Sequence, residues 1–184
     1  MPLFSFRNRP VWVALAIFGA SLCAAATDAP RQRLSLDAGW KFHLGDEWPD
    51  APHLDKAGTG SGPAAPSFED AGWRDINVPH DWAVELPFDP AADRNHGYKP
   101  LGPAYPQNSI AWYRRKFELP ASDSDKRIWL TFDGVFRDAT VWVNGWLVRH
   151  HESGYSPLRE DITDVLNFGG TNTIAVCVDA TKFE

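Results

Sequence analysis

Ala139-Thr140-Val141-Trp142-Val143-Asn144-Gly145-Trp146-Leu147-Val148-Arg149-His150 decides the fold class of this chain. Ala139, Val141 and Val143 alternate with Thr140 and Trp142, the period of a strand that keeps one face inward. Asn144-Gly145 is the dipeptide that best tolerates the positive φ angles of a type I′ turn. Trp146 to His150 then supplies the returning arm. The segment reads as an antiparallel hairpin with Val141 and Val143 packed inward. Trp142 falls on the opposite face, where a neighbouring domain is expected to cover it.

The same pattern extends in both directions. Downstream, Asp161 to Leu166 predicts a single helical turn capped by Asp161, and Gly169-Gly170 ends it. Thr173 to Val178 is the last strand, with Ile174, Val176 and Val178 inward. Upstream, Arg127 to Asp133 sets Ile128, Leu130 and Phe132 on one face. Ala111 to Leu119 sets Tyr113, Phe117 and Leu119 on one side and Arg114 and Lys116 on the other. Trp40 to Leu44 follows a turn at Asp37-Ala38-Gly39 and aligns Trp40, Phe42 and Leu44. Gly45 to Pro66 is rich in Gly, Pro and Ala and reads as a surface excursion. Phe68 to Trp73 predicts one helical turn before a short strand at Ile76 to Val78. Short alternating segments bounded by turns, without a long 3.6-residue period, specify an all-β antiparallel sandwich.

One stretch departs from this pattern. His80 to Ser109 runs for thirty residues with seven prolines or glycines and no periodicity. Loops of that length inside a domain are uncommon and usually functional. Its aromatic residues argue against plain disorder. The expectation is a loop anchored at His80-Asp81-Trp82 and Trp112-Tyr113, with Asp89 to Gln107 loosely packed.

The first residues read as an export leader. Arg7 and Arg9 precede the apolar run Val11 to Leu22, which is too short to span a bilayer comfortably. Ala24 and Ala26 supply a small-x-small cleavage pattern. Residues 1–26 are therefore assigned to a signal peptide and 27–184 to the mature domain, in a secreted or periplasmic protein with no membrane association after cleavage. Losing Arg7 and Arg9 takes the net charge from −6 to −8. Such an acidic surface disfavours nucleic acid as a partner. Cys23 leaves with the leader, so Cys177 stands alone and stability must come from packing. Oligomeric state is not legible at this level.

The order of motifs is informative beyond fold class. Val78-Pro79-His80-Asp81-Trp82, Trp112-Tyr113-Arg114-Arg115, Phe132-Asp133-Gly134-Val135 and Ala139 to Gly145 occur in sequence. Tyr155-Ser156-Pro157-Leu158 before Asp161-Ile162-Thr163, and Asn172 to Val176 before Val178-Asp179, complete the series. Together they resemble the N-terminal domain of family 2 glycoside hydrolases of the β-galactosidase type. The resemblance implies a jelly-roll β-sandwich like the galactose-binding domains, standing before an immunoglobulin-like domain and a catalytic (β/α)8 barrel. It differs at Ser153-Gly154, where the family shows two glycines, at Leu158, where Phe is typical, and at Cys177, where Arg is common. It also implies a closing aromatic and Gly-rich segment after Glu184, so the last strand or strands are expected to be missing here.

Chemistry follows from the same resemblance. Retaining glycosidases use two carboxyl groups about 5 Å apart, and in this family both belong to the barrel. No catalytic residue is therefore expected in this chain. No metal site is expected either, because His150 and His151 are adjacent strand residues and point to opposite faces. No cofactor motif is present. The long loop holds the candidate sugar contacts: Asp81 can accept from sugar hydroxyls and Asn108 can donate and accept, while Trp82, Tyr98 or Tyr105 can stack on a ring. Asp81 also has the simpler reading of a loop-locking bond to backbone amides, and Trp82 that of a packed residue. The partner implied is a carbohydrate, a β-galactoside or a relative, held in the context of an intact enzyme. The alternatives are a freestanding carbohydrate-binding module and a structural or assembly piece.

Overall fold

In the computed structural model, residues 31–52 and 60–182 are described; residues 1–26, expected to be a leader, lie outside them. Residues 31–34, the described part before Ser35, hold no helix or strand.

Among its described residues, Ser35–Glu184 is built on eight strands, most of them where alternation predicts one; Leu158–Asp161 was not expected. They are β1 (Trp40–Leu44), β2 (Arg74–Ile76), β3 (Ile110–Glu118), β4 (Trp129–Phe132), β5 (Ala139–Val143), β6 (Trp146–His151), β7 (Leu158–Asp161) and β8 (Thr171–Asp179). Six of them make one antiparallel sheet in the order β2-β1-β3-β8-β5-β6, and β4 pairs with β7 in a second. The hairpin turn is as expected, with φ of 52° at Asn144 and 82° at Gly145. Register slips between Val141 and Trp142, so the β5–β6 ladder carries a bulge.

The inner face of the large sheet packs Trp40, Phe42, Tyr113, Val141, Val143, Ile174 and Val176 against Leu130, Leu158 and Ile162 of the smaller layer. Two strands cannot roof six. The long loop covers much of the remainder, since Trp82 and Leu101 belong to the same core.

The opposite face departs from the expectation. Trp112 and Trp142 are both 0 % exposed and share a second core with Ala51, Ala64, Ala175 and Cys177, with Trp48 and Trp73 packed against it. The cover comes from the chain's own excursion, not from another domain. Arg114 lies on this face and is also 0 % exposed. Its Nε donates to Asp70 Oδ2 at 2.8 Å, and its other nitrogens donate to the carbonyls of Pro63, Ala65 and Phe68. A buried guanidinium needs this set of acceptors to offset its lost hydration. The side of β3 carrying Arg114 is thus interior at that position, while Lys116 is exposed.

Smaller differences have local causes. In place of the helical turn expected over Phe68 to Trp73 there is a single turn at Ala71-Gly72, and the strand after it begins earlier, at Arg74. Asp161 ends β7, and its Oδ1 accepts from the Thr163 amide at 3.1 Å and hydroxyl at 2.6 Å, starting a 3-10 turn at Thr163–Val165.

Candidate functional site

The long loop is structured by short-range bonds. Asp81 begins it: its Oδ1 accepts from the Ala83 amide at 2.9 Å, capping the single-turn helix α1 (Trp82–Glu85). Asp93 caps the 3-10 turn Arg94–His96 in the same way. The Asp89 amide donates to the Tyr98 carbonyl at 2.7 Å, folding the intervening residues back on themselves. Near the exit, the buried Ser109 hydroxyl accepts from the Gly102 amide at 2.7 Å and reaches the carbonyls of Gly102 and Tyr105. The segment from Asp89 to Gln107 therefore carries its own hydrogen bonds, contrary to the loose packing its composition suggests.

A polar chain ties the loop to the sheet. The Tyr113 hydroxyl lies 2.9 Å from His80 Nδ1, and His80 Nε2 lies 3.2 Å from Glu85 Oε1. Arg74 Nη2 reaches Glu85 Oε2 at 2.7 Å. The Arg74 hydrogen bond holds the Glu85 carboxyl below its ordinary pKa, with His80 adding to the effect. Burial pushes the Tyr113 phenol up, and the charges of Asp81 and Glu85 push it further.

The candidate residues separate on this frame. Trp82 is buried, its ring packed among Phe42 and Tyr113 and its Nε1 donating to the Asn108 carbonyl at 3.1 Å. It is a core residue and offers no face to a sugar, so its packed reading holds and its candidate stacking role is corrected. Asn108 is half-buried, and its carbonyl is committed to that bond. Tyr105 is half-buried too; burial and then the nearby Asp89 carboxylate raise its phenol pKa. Asp81 and Tyr98 are exposed. Tyr98 sits at φ 60°, a left-handed conformation uncommon for an aromatic residue, with the Arg94 guanidinium 5.9 Å from its ring.

Asp81 lines a depression of about 320 Å³ together with Ala83, Val84, Phe88, His96 and Lys99. Phe88 is 74 % exposed, and the Lys99 ammonium lies 4.0 Å from its ring centre. Lys99 is held there by the carbonyls of Leu86 and Val84. The depression therefore joins an apolar ring face, a carboxylate and an ammonium. Sequence reasoning missed Phe88 and Lys99 because the reversal between Asp89 and Tyr98 brings them together. The exposed aromatic after Pro87 was the one available signal.

His150 and His151 take separate partners, Asp138 at 3.0 Å and Ser156. Among the described residues no group of three or more His, Cys, Asp or Glu stands close enough to hold a metal ion. Cys177 is buried, and burial raises its thiol pKa.

Residues 34–184 match the family model described as glycosyl hydrolases family 2, sugar binding domain. The chain belongs to that family. The resemblance in its motifs and the sandwich it adopts agree with this membership. A β-galactosidase of Bacteroides ovatus is 34 % identical over 151 residues, covering 82 % of this chain and 16 % of the relative. A β-glucuronidase of Formosa agariphila is 34 % identical over 113 residues, covering 61 % of this chain and 11 % of its own length. Among solved structures, a β-glycosidase from Bacteroides vulgatus superimposes with a TM-score of 0.64 at 33 % identity, covering 78 % of this chain and 16 % of that one. A family 2 member from Bacteroides cellulosilyticus gives 0.62 at 30 %, covering 82 % and 18 %. This family 2 domain thus spans about one sixth of the length of the relatives it matches.

Proposed function

We infer that this domain contributes sugar contacts to a secreted glycosidase of the β-galactosidase type, whose catalytic carboxylates come from another part of the enzyme. The observation that carries the reading is the loop depression, where Asp81, Phe88 and Lys99 offer acceptor, ring face and donor together. Sugars present hydroxyls at their edges and apolar C–H surface on their faces, so this pairing of groups suits them. The leader-like Arg7 to Ala26 supports export to the periplasm or medium.

A galactoside is favoured over a uronide because Asp81 would repel a sugar carboxylate, although Lys99 partly balances it. The purified chain should hydrolyse neither aryl β-galactosides nor aryl β-glucuronides. Turnover above a blank, lost on substituting a carboxylate of this chain, would overturn the reading.

A further inference from the structure

We propose that the domain holds a second carbohydrate-contacting cleft, at the end of the sheet where β5 turns into β6 and β8 begins. The cleft measures about 630 Å³ and is lined by Trp146, Asn144, Lys116, Asp164, Asn167 and Thr171, among others. It shares no residue with the depression beside Asp81. The proposal rests on the sugar-binding reading of this family and adds a place that the loop does not provide.

Its floor is fixed. Asn144 Nδ2 donates to the Val165 carbonyl at 2.7 Å and to Asn172 Oδ1 at 2.8 Å, while its Oδ1 accepts from the Thr173 amide at 2.9 Å. The buried Asn172 in turn accepts from the Asn167 amide at 2.7 Å and donates to the carbonyls of Asn167 and Gly170. Two side-chain amides thus spend their capacity holding residues 165–173 to the hairpin turn. A ligand would meet a preformed surface and would not bear the cost of ordering it.

The wall is suited to a sugar. Trp146, the first residue of the edge strand β6, is 46 % exposed beside the cleft. Around it stand the exposed side chains of Lys116, Asp164, Asn167 and Thr171. They supply donors and acceptors of the kinds hydroxyls need. One ammonium and one carboxylate line it, so the cleft has no dominant charge and favours a neutral sugar over an anionic one. An indole face with mixed hydrogen-bonding groups at its edge is the arrangement that places a pyranose ring.

The test is an amide chemical-shift titration of the whole chain with β-linked galactotriose, with an acidic oligouronide as comparison. Shifts at Asn144 to Leu147 and Asp164 to Thr171 are expected with the neutral sugar. Trp146→Ala should weaken that binding by about tenfold, the scale of one aromatic contact, and Trp146→Phe should recover most of it. Asp81→Ala should leave it unchanged. Shifts confined to Asp81 to Lys99 would overturn the cleft and leave the loop reading standing; shifts at neither place would sink both. Cleft binding indifferent to Trp146→Ala, or seen only with the oligouronide, would also overturn it. So would cleft shifts that grow with protein concentration alone, which would mark a contact between copies.

Discussion

The indoles of Trp112 and Trp142 stack at 5.5 Å and 25° on the face of the large sheet that alternation assigns away from the main core. Each strand contributes one ring, and β8 runs between them with Ala175 and Cys177 small enough to leave room. The pair converts a nominal outer face into a second interior.

Truncating either ring should therefore cost as much as a core substitution. Trp142→Ala is expected to destabilise by about 3–5 kcal/mol, the range for large aromatic deletions in cores. Chemical denaturation read by fluorescence measures it. A loss within about 0.5 kcal/mol, as at an ordinary surface position, would show that the excursion does not cover this face.

The buried ion pair gives a second, sharper expectation. Arg114 has Asp70 as its only anionic partner among the described residues. Asp70→Asn should destabilise by about 3 kcal/mol, because it leaves a buried guanidinium without a counter-charge. Three carbonyls still receive its other N–H groups, which keeps the effect at the lower end of the range. Replacing both residues, as in Arg114→Met with Asp70→Asn, should cost less than the sum of the single changes. Strict additivity would mean that the two groups do not depend on each other.

Acid sensitivity should run through Asp161. The Thr163 hydroxyl and amide, with Arg127 adding to them, lower its pKa from 3.8 to about 2. A folded-state pKa below the unfolded one stabilises the protein above the unfolded value and is lost as pH falls through the folded one. Its contribution is thus full at neutral pH and disappears between about pH 4 and pH 2. Asp161→Asn should flatten the decline of unfolding midpoint across that window. An unchanged slope would show that these bonds do not persist in solution.

The strands were legible because their residues obey a two-residue period with turn residues between them. Trp40-Lys41-Phe42, Ile128 to Phe132 and Ala139 to Val143 each show it. Alternation assigns faces, but it does not say which face meets water. That choice belongs to tertiary contacts such as Trp48, Ala51 and Ala64 against Trp142, which no local pattern encodes. The strand Leu158–Asp161 escaped notice because four residues after Pro157 are too few to show a period. In the loop, Asp81 was legible as a carboxylate able to lock the chain through backbone amides, and its bond to the Ala83 amide is of that kind; the helical turn it caps was not expected. For Trp82 both a packed and a stacking reading stood open, and its partners Phe42 and Tyr113, from two distant strands, decide for packing.

The central claim is that the loop depression touches sugar, and a titration of the isotope-labelled chain with methyl β-galactoside tests it most directly. A half-site on one domain should bind weakly, with a Kd above about 1 mM, since the cost of immobilising the sugar is met by few contacts. The account predicts saturable amide shifts at Asp81, Val84, Phe88 and Lys99, abolished by Asp81→Ala or Phe88→Ala, and smaller with methyl β-glucuronide. Absence of any shift in these residues at the highest soluble sugar concentration, with the fold intact, would contradict it.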